Sequence, residues 1–223
     1  MQISLVKNSF YFTYIFLITT GTICFIEAIR NADPKVRHIM NLETCISVVA
    51  GYFYGLFVDK INKAEKDEKT EELPLDEIND NRYTDWGIST PLMLLVLCLV
   101  LGMENKHVVN FWTFMLILLF NFLMLGSGYV GETGVLPKTS ANMIGFVFFT
   151  LMFGTIWNTY MKNKKTFNSM VIYWLFVVLW AFYGVFYQAD TLTKIFGYNI
   201  LDLLSKAFVG IFFWLYLTKS VKF

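Results

Sequence analysis

Charge is scarce in this chain. Asp, Glu, Lys and Arg make up 16% of its 223 residues, against about 25% in an average soluble domain. It has two histidines and three cysteines, and they are not clustered, so no metal site is expected. There is no glycine-rich phosphate loop. No enzymatic activity and no nucleic-acid partner are expected. Cys24, Cys45 and Cys98 lie in three different apolar runs. A buried cysteine usually serves as a small apolar packer, which argues against a disulfide framework. His38 and His107 flank apolar runs and read as interfacial side chains rather than ligands.

Apolar side chains fill the space that charge leaves. The chain is 56% hydrophobic and 18% aromatic. Its charges sit in short blocks between seven apolar runs of roughly 20 residues, the length that crosses a hydrocarbon core at about 1.5 Å per residue. The runs cover about Phe10 to Glu27, Met40 to Val58, Arg82 to Leu101, Val108 to Gly128, Asn142 to Tyr160, Ser169 to Tyr187 and Ile195 to Leu217. Strands have no evident place in such a core. The expected fold class is an all-α membrane protein, a seven-transmembrane helix bundle, with residues 1–223 as one domain. The first run lacks a small-residue cleavage site and reads as a retained helix.

One connection is long. Residues 59–81 contain nine acids and four lysines, and are expected to form a solvated acidic loop. Orientation follows from Lys and Arg in the short loops. Nine of them (Arg30, Lys35, Arg37, Lys106, Lys162, Lys164, Lys165, Lys219 and Lys222) fall on one side. Three (Lys7, Lys138 and Lys194) fall on the other. That places the C-terminus in the cytoplasm and the N-terminus, with the acidic loop, outside.

Five ionisable residues lie within or at the mouths of the runs: Glu43, Arg82, Asp85, Asp202 and Lys206. A charge at that depth is costly and is by default a functional hypothesis. Asp202 and Lys206 are four residues apart, so they share a helix face. Arg82, Asp85 and Ser89 stack in the same way on the third run, which also carries Pro91. A protonated Lys206 is expected between Asp85 and Asp202, with Arg82 offsetting the second negative charge. A structural Arg–Asp pair is the alternative for the third run. Glu27 and Glu132 lie near run ends and are expected to reach the interface. Phe10, Phe12 and Phe25 are expected on outer faces, against lipid or another helix.

Asp202-Leu-Leu-Ser-Lys206, together with Arg82-Tyr-Thr-Asp-Trp86 and Pro91, resembles the microbial (type 1) rhodopsins. Tyr129-Val-Gly-Glu132 and Tyr198-Asn-Ile-Leu-Asp202 are similar to proteorhodopsins, and Trp180-Ala-Phe-Tyr183 to the family's aromatic wall. The resemblance covers nearly the whole chain. It implies all-trans retinal on Lys206 as a Schiff base, Asp85 as primary counterion and proton acceptor, Asp202 as second counterion and Arg82 as the gate. It implies that Tyr83, Trp86, Thr90, Met93, Met124, Gly128, Trp180 and Tyr183 line the chromophore. Met93 at the colour-tuning position implies green absorption. Ser89 is carried as a further site residue.

The departures are informative. Gly184 stands where the family usually has proline. Lys194 stands where one archaeal pump has a release carboxylate. Val96 replaces the usual cytoplasmic donor. Glu43 is the candidate substitute donor. Tyr54 lies eleven residues on, about three turns, so the two share a face. Some rhodopsins of large algal viruses are similar in this respect. The leading expectation is a light-driven outward proton pump. A light-gated cation channel passing sodium or potassium, along Glu43, Ser47 and Ser205, is the alternative. A sensory photoreceptor is the third reading. The family resemblance also implies a homo-oligomer, trimer or pentamer, in a lipid bilayer.

Overall fold

The computed structural model describes residues 2–66, 74–162 and 165–218. These residues are helical, with no strand among them. The order is α1 (Ile3–Arg30), α2 (Pro34–Lys66), α3 (Leu75–Asn105), α4 (Phe111–Glu132), α5 (Lys138–Ile156), α6 (Phe167–Tyr187), α7 (Thr191–Asp202) and α8 (Val209–Leu217). A π-helical turn, Trp157–Met161, extends α5. A second, Leu203–Phe208, joins α7 to α8 and makes one continuous span. Among the described residues, seven helices are long and apolar enough to cross a membrane. The expected class holds: this is an all-α, multi-pass membrane protein.

The acidic loop expected over residues 59–81 is a correction. Helix continues from the second run to Lys66, and α3 already begins at Leu75. The polar stretch after Val58 is rich in Lys and Glu, both good helix formers. Hydropathy therefore marked where the lipid ends, not where the helix ends. Lys60 Nζ lies 2.8 Å from Glu77 Oε2 and ties the two helix ends together. Residues 67–73 of the expected loop lie outside the described residues, as do Lys164, Lys219 and Lys222 of the charge count.

The chain packs as two compact units. The first comprises residues 1–89 and 189–223. In it α1 lies along α2 and along the α7–α8 span. Its core is built from Val6, Phe10, Leu17, Tyr54, Phe57 and Leu203, among others. Phe10 is therefore a core residue, whereas Phe12 and Phe25 are exposed as expected. Two threonines of α1 bond to backbone carbonyls of the last span. Thr13 Oγ1 donates to Asn199 O at 3.0 Å, and Thr20 Oγ1 to Ala207 O at 3.3 Å. The second of these carbonyls lies in the π turn.

The second unit, residues 90–188, packs α4 on α5 and α5 on α6. α3 ends on Lys106 at φ 58°, with His107 N donating to Gly102 O at 2.8 Å, the pattern of a left-handed helix stop. α4 is capped by Asn110 and α6 by a reciprocal Thr166–Ser169 box. α6 runs unbroken past Gly184. The reason for glycine there is close approach. A β-carbon at 184 would lie 2.5 Å from Phe146 Cζ, and Gly184 O accepts from Asn142 Nδ2 at 3.0 Å.

Candidate functional site

The site grows from the helix faces that carry Lys206 and Asp202. Lys206 sits within the π turn and is 2% exposed. Its Nζ donates to Asp85 Oδ2 at 2.7 Å and lies 3.5 Å from Asp202 Oδ1. Both carboxylates are buried. The expected lysine between two aspartates is therefore present in the geometry.

Asp202 is satisfied on both oxygens. Its Oδ2 accepts from Arg82 Nη1 and from Tyr54 OH, each at 2.9 Å. Its Oδ1 accepts from Trp86 Nε1 at 3.3 Å. Arg82 is fully buried, and its Nη2 donates to Asn199 Oδ1 at 2.7 Å. Asn199 passes the contact on, donating from Nδ2 to Ser9 Oγ at 2.8 Å. Four rings, Phe10, Tyr54, Phe57 and Tyr198, stand 5.3–5.9 Å from the Arg82 guanidinium carbon. Rings at that distance attract a cation through their electron-rich faces. Two cations thus face two carboxylates, and the buried charges cancel.

Glu43 is also buried, at 2% exposure. Its companion Tyr54 bonds Asp202, so the shared inward face of α2 is confirmed by both residues. A β-carbon at Gly210 would lie 3.0 Å from Glu43 Oε2 and 2.8 Å from Thr20 Cγ2. The Glu43 carboxyl therefore rests against bare backbone of α8. Gly210 lies four residues beyond Lys206, about 6 Å along the axis. Asp202 and Asn199 lie before Lys206 on the same span. The acids thus fall on opposite sides of the lysine.

The remaining candidates are placed separately. Ser89 is buried one turn after Asp85. Trp86 is buried and packs edge-on to Tyr198 and to the half-buried Tyr83. In the second unit, Thr90 is buried and accepts from Asn121 Nδ2 at 2.9 Å. Met93 is buried, and so is Trp180, which meets Phe153 edge-on. Met124, Gly128 and Tyr183 are half-buried, and Gly128 O accepts from Tyr187 OH at 2.8 Å. Val96 is buried among apolar side chains of α3 such as Leu97 and Val100.

Glu27 is a correction. It does not reach the interface but is 4% exposed, accepting from Trp214 Nε1, Arg30 Nε and Asn31 Nδ2. Three donors make burial of that carboxylate tolerable. Lys194 is buried as well. The sequence reading missed Asn199 and Gly210. Both carried a signal: they stand three before Asp202 and four after Lys206, on the faces already singled out. Among the described residues, no cluster of His, Cys, Asp or Glu is arranged to hold a metal.

A buried lysine held by two carboxylates in a seven-span helical protein is the arrangement that the resemblance to microbial rhodopsins implied. The family profile described as bacteriorhodopsin-like protein matches residues 5–220, and the chain belongs to that family. The crystal structure of viral rhodopsin OLPVRII is 48% identical, with a TM-score of 0.88, over 98% of this chain and 100% of that one. Opsin-1 of Neurospora crassa is 29% identical over 61% of this chain and 48% of its own length. The blue-light absorbing proteorhodopsin of Gamma-proteobacterium Hot 75m4 is 28% identical over 60% of this chain and 59% of its own. The chain thus spans roughly half the length of these two curated relatives. Membership implies a retinal chromophore.

The residues fit that group. Lys206 provides a buried amine, and its carboxylate partner keeps one oxygen, Asp85 Oδ1, buried with no protein hydrogen-bond partner. Ser89 Oγ is in the same condition. A carboxylate with a spare acceptor beside the lysine suits a positively charged nitrogen.

Proposed function

We propose that the chain is a light-driven outward proton pump carrying all-trans retinal on Lys206. The observation that carries this reading is the placement of carboxyl groups along the last span. Asp85 and Asp202 meet the lysine nitrogen directly, while Glu43 rests against Gly210, one turn farther on.

Retinal supplies light absorption and an isomerisation that lowers the proton affinity of the lysine nitrogen. The protein's own groups do the rest. Asp85, at 2.7 Å, accepts the proton. Asp202 is occupied by Arg82, Tyr54 and Trp86, so it stays charged and holds the field rather than the proton. Glu43 returns a proton to the nitrogen from the α8 side. Glu43 is buried, and among the described residues no salt bridge to it is found, so its carboxyl is the group on this side available to hold a transferable proton. Val96, Leu97 and Val100 are buried and offer no donor carboxylate on α3. The family resemblance assigns contact with the polyene to Tyr83 and Trp86 of the first unit and to Thr90, Met93, Met124, Gly128, Trp180 and Tyr183 of the second. With the N-terminus outside, this order of transfer exports protons.

The test is external pH under illumination. Cells carrying the protein and supplied with retinal are expected to acidify the medium, and a protonophore is expected to abolish the signal. Currents that reverse at a cation equilibrium potential would instead identify a channel. Lys206→Ala is expected to remove the visible absorption band; a retained band would refute attachment at that residue.

A further inference from the structure

Resting on the reading of Glu43 as proton donor, we infer that Gly210 is a positioning residue for that transfer. Three side chains converge where Gly210 has none. A β-carbon there would meet Thr20 Cγ2 at 2.8 Å, Glu43 Oε2 at 3.0 Å and Cys24 Sγ at 3.9 Å. The first two distances are shorter than ordinary van der Waals contact. The missing methyl is therefore the space that the Glu43 carboxyl uses to lie on α8. That contact ties a residue of α2 to the span that bears Lys206.

The π turn sets this alignment. Val209 N donates to Leu204 O, five residues back. The wider turn changes the rotation of everything after Lys206. Thr20 Oγ1 bonds Ala207 O within that turn, so α1 braces the helix just before Gly210. The result is a fixed floor under the carboxyl, one turn from the lysine. Proton transfer depends steeply on such placement, since an error near 1 Å can cost up to about 10²-fold in rate.

Adding one methyl group separates this role from general packing. The Glu43 carboxyl is the end of a flexible side chain, so Gly210→Ala moves it aside without demanding a new fold. The full-length protein with retinal is measured by flash photolysis as Gly210→Ala, Thr20→Ser, their double variant and Glu43→Gln. Gly210→Ala is expected to keep the visible band and slow the late decay about tenfold. Azide, a small mobile acid, is expected to restore the rate. Thr20→Ser keeps the hydroxyl on Ala207 O but removes the methyl that collides first. It is expected to decay at the parent rate, and the double variant as slowly as Gly210→Ala. The double variant also keeps the test readable if the single one fails to fold.

A double variant at the parent rate would overturn the inference, because the slow decay would then come from Thr20 packing alone. So would Gly210→Ala at the parent rate beside a slow Glu43→Gln. Parent kinetics in Glu43→Gln would instead sink the donor reading, and the positioning role with it.

Discussion

A fully buried guanidinium needs partners for its charge. Arg82 turns Nη1 to Asp202 and Tyr54 and Nη2 to Asn199 inside a ring of four aromatics, while its Nε is buried without a hydrogen-bond partner. Breaking one partner leaves the other charge uncompensated. Asp202→Ala is expected to cost about 3–5 kcal/mol, read as a lower temperature for loss of the visible band. Asn199→Leu removes one charged hydrogen bond and is expected to cost about 2 kcal/mol by the same measurement. Asp85→Asn is expected to shift the band to the red and stop transport, because the lysine nitrogen loses its nearest negative charge. The closeness of Lys206 and Asp202 was legible in the sequence, since a four-residue spacing fixes a shared helix face; the three-residue spacing of Arg82 and Asp85 did not give their partners, which are Asp202 for Arg82 and Lys206 for Asp85. The ring cage was not. Phe10 looks like any lipid-facing phenylalanine until α1 is docked against α2 and α7.

At the scale of elements, the apolar runs located the spans but not their ends. α2 has 33 residues, about 50 Å of helix, and outlasts a hydrocarbon core of about 30 Å. Hydropathy is blind to that excess, and equally to the π turn, which changes hydrogen-bond spacing without changing polarity. Helix starts are governed by local chemistry instead. At the start of α7 Asp190 accepts from Thr193 N at 3.0 Å. Hydrogen bonds from the Thr193 side chain and backbone hold its carboxyl below the usual carboxylate range. A lowered folded value means that the cap stabilises above the unfolded value, about 3.9, and loses that contribution as pH falls through the folded one. Asp190→Ala is therefore expected to melt below the parent at pH 7, with the difference closing as the medium is acidified below about pH 4. A difference independent of pH would show that charge has no part in this cap.

For the whole molecule, orientation is the property on which the direction of transport depends. The count of nine basic residues against three is the ground for proposing that α2 and α3 meet on the outer side. Glu77 is exposed near the start of α3. A cysteine there, in a background with Cys45 replaced, is expected to react with an impermeant maleimide added to intact cells. Protection until the cells are opened would invert the topology and with it the proposed direction of transport. The π turn at Leu203–Phe208 has a further consequence for how the length of this chain can vary. A residue inserted into or deleted from that turn would rotate everything beyond it by about 100°. Gly210 would then turn away from Glu43 while the span kept its hydropathy. Such an indel would be a silent frameshift in three dimensions, leaving a protein that inserts and binds its chromophore but has lost its resupply of protons. Length is thus constrained beside the lysine.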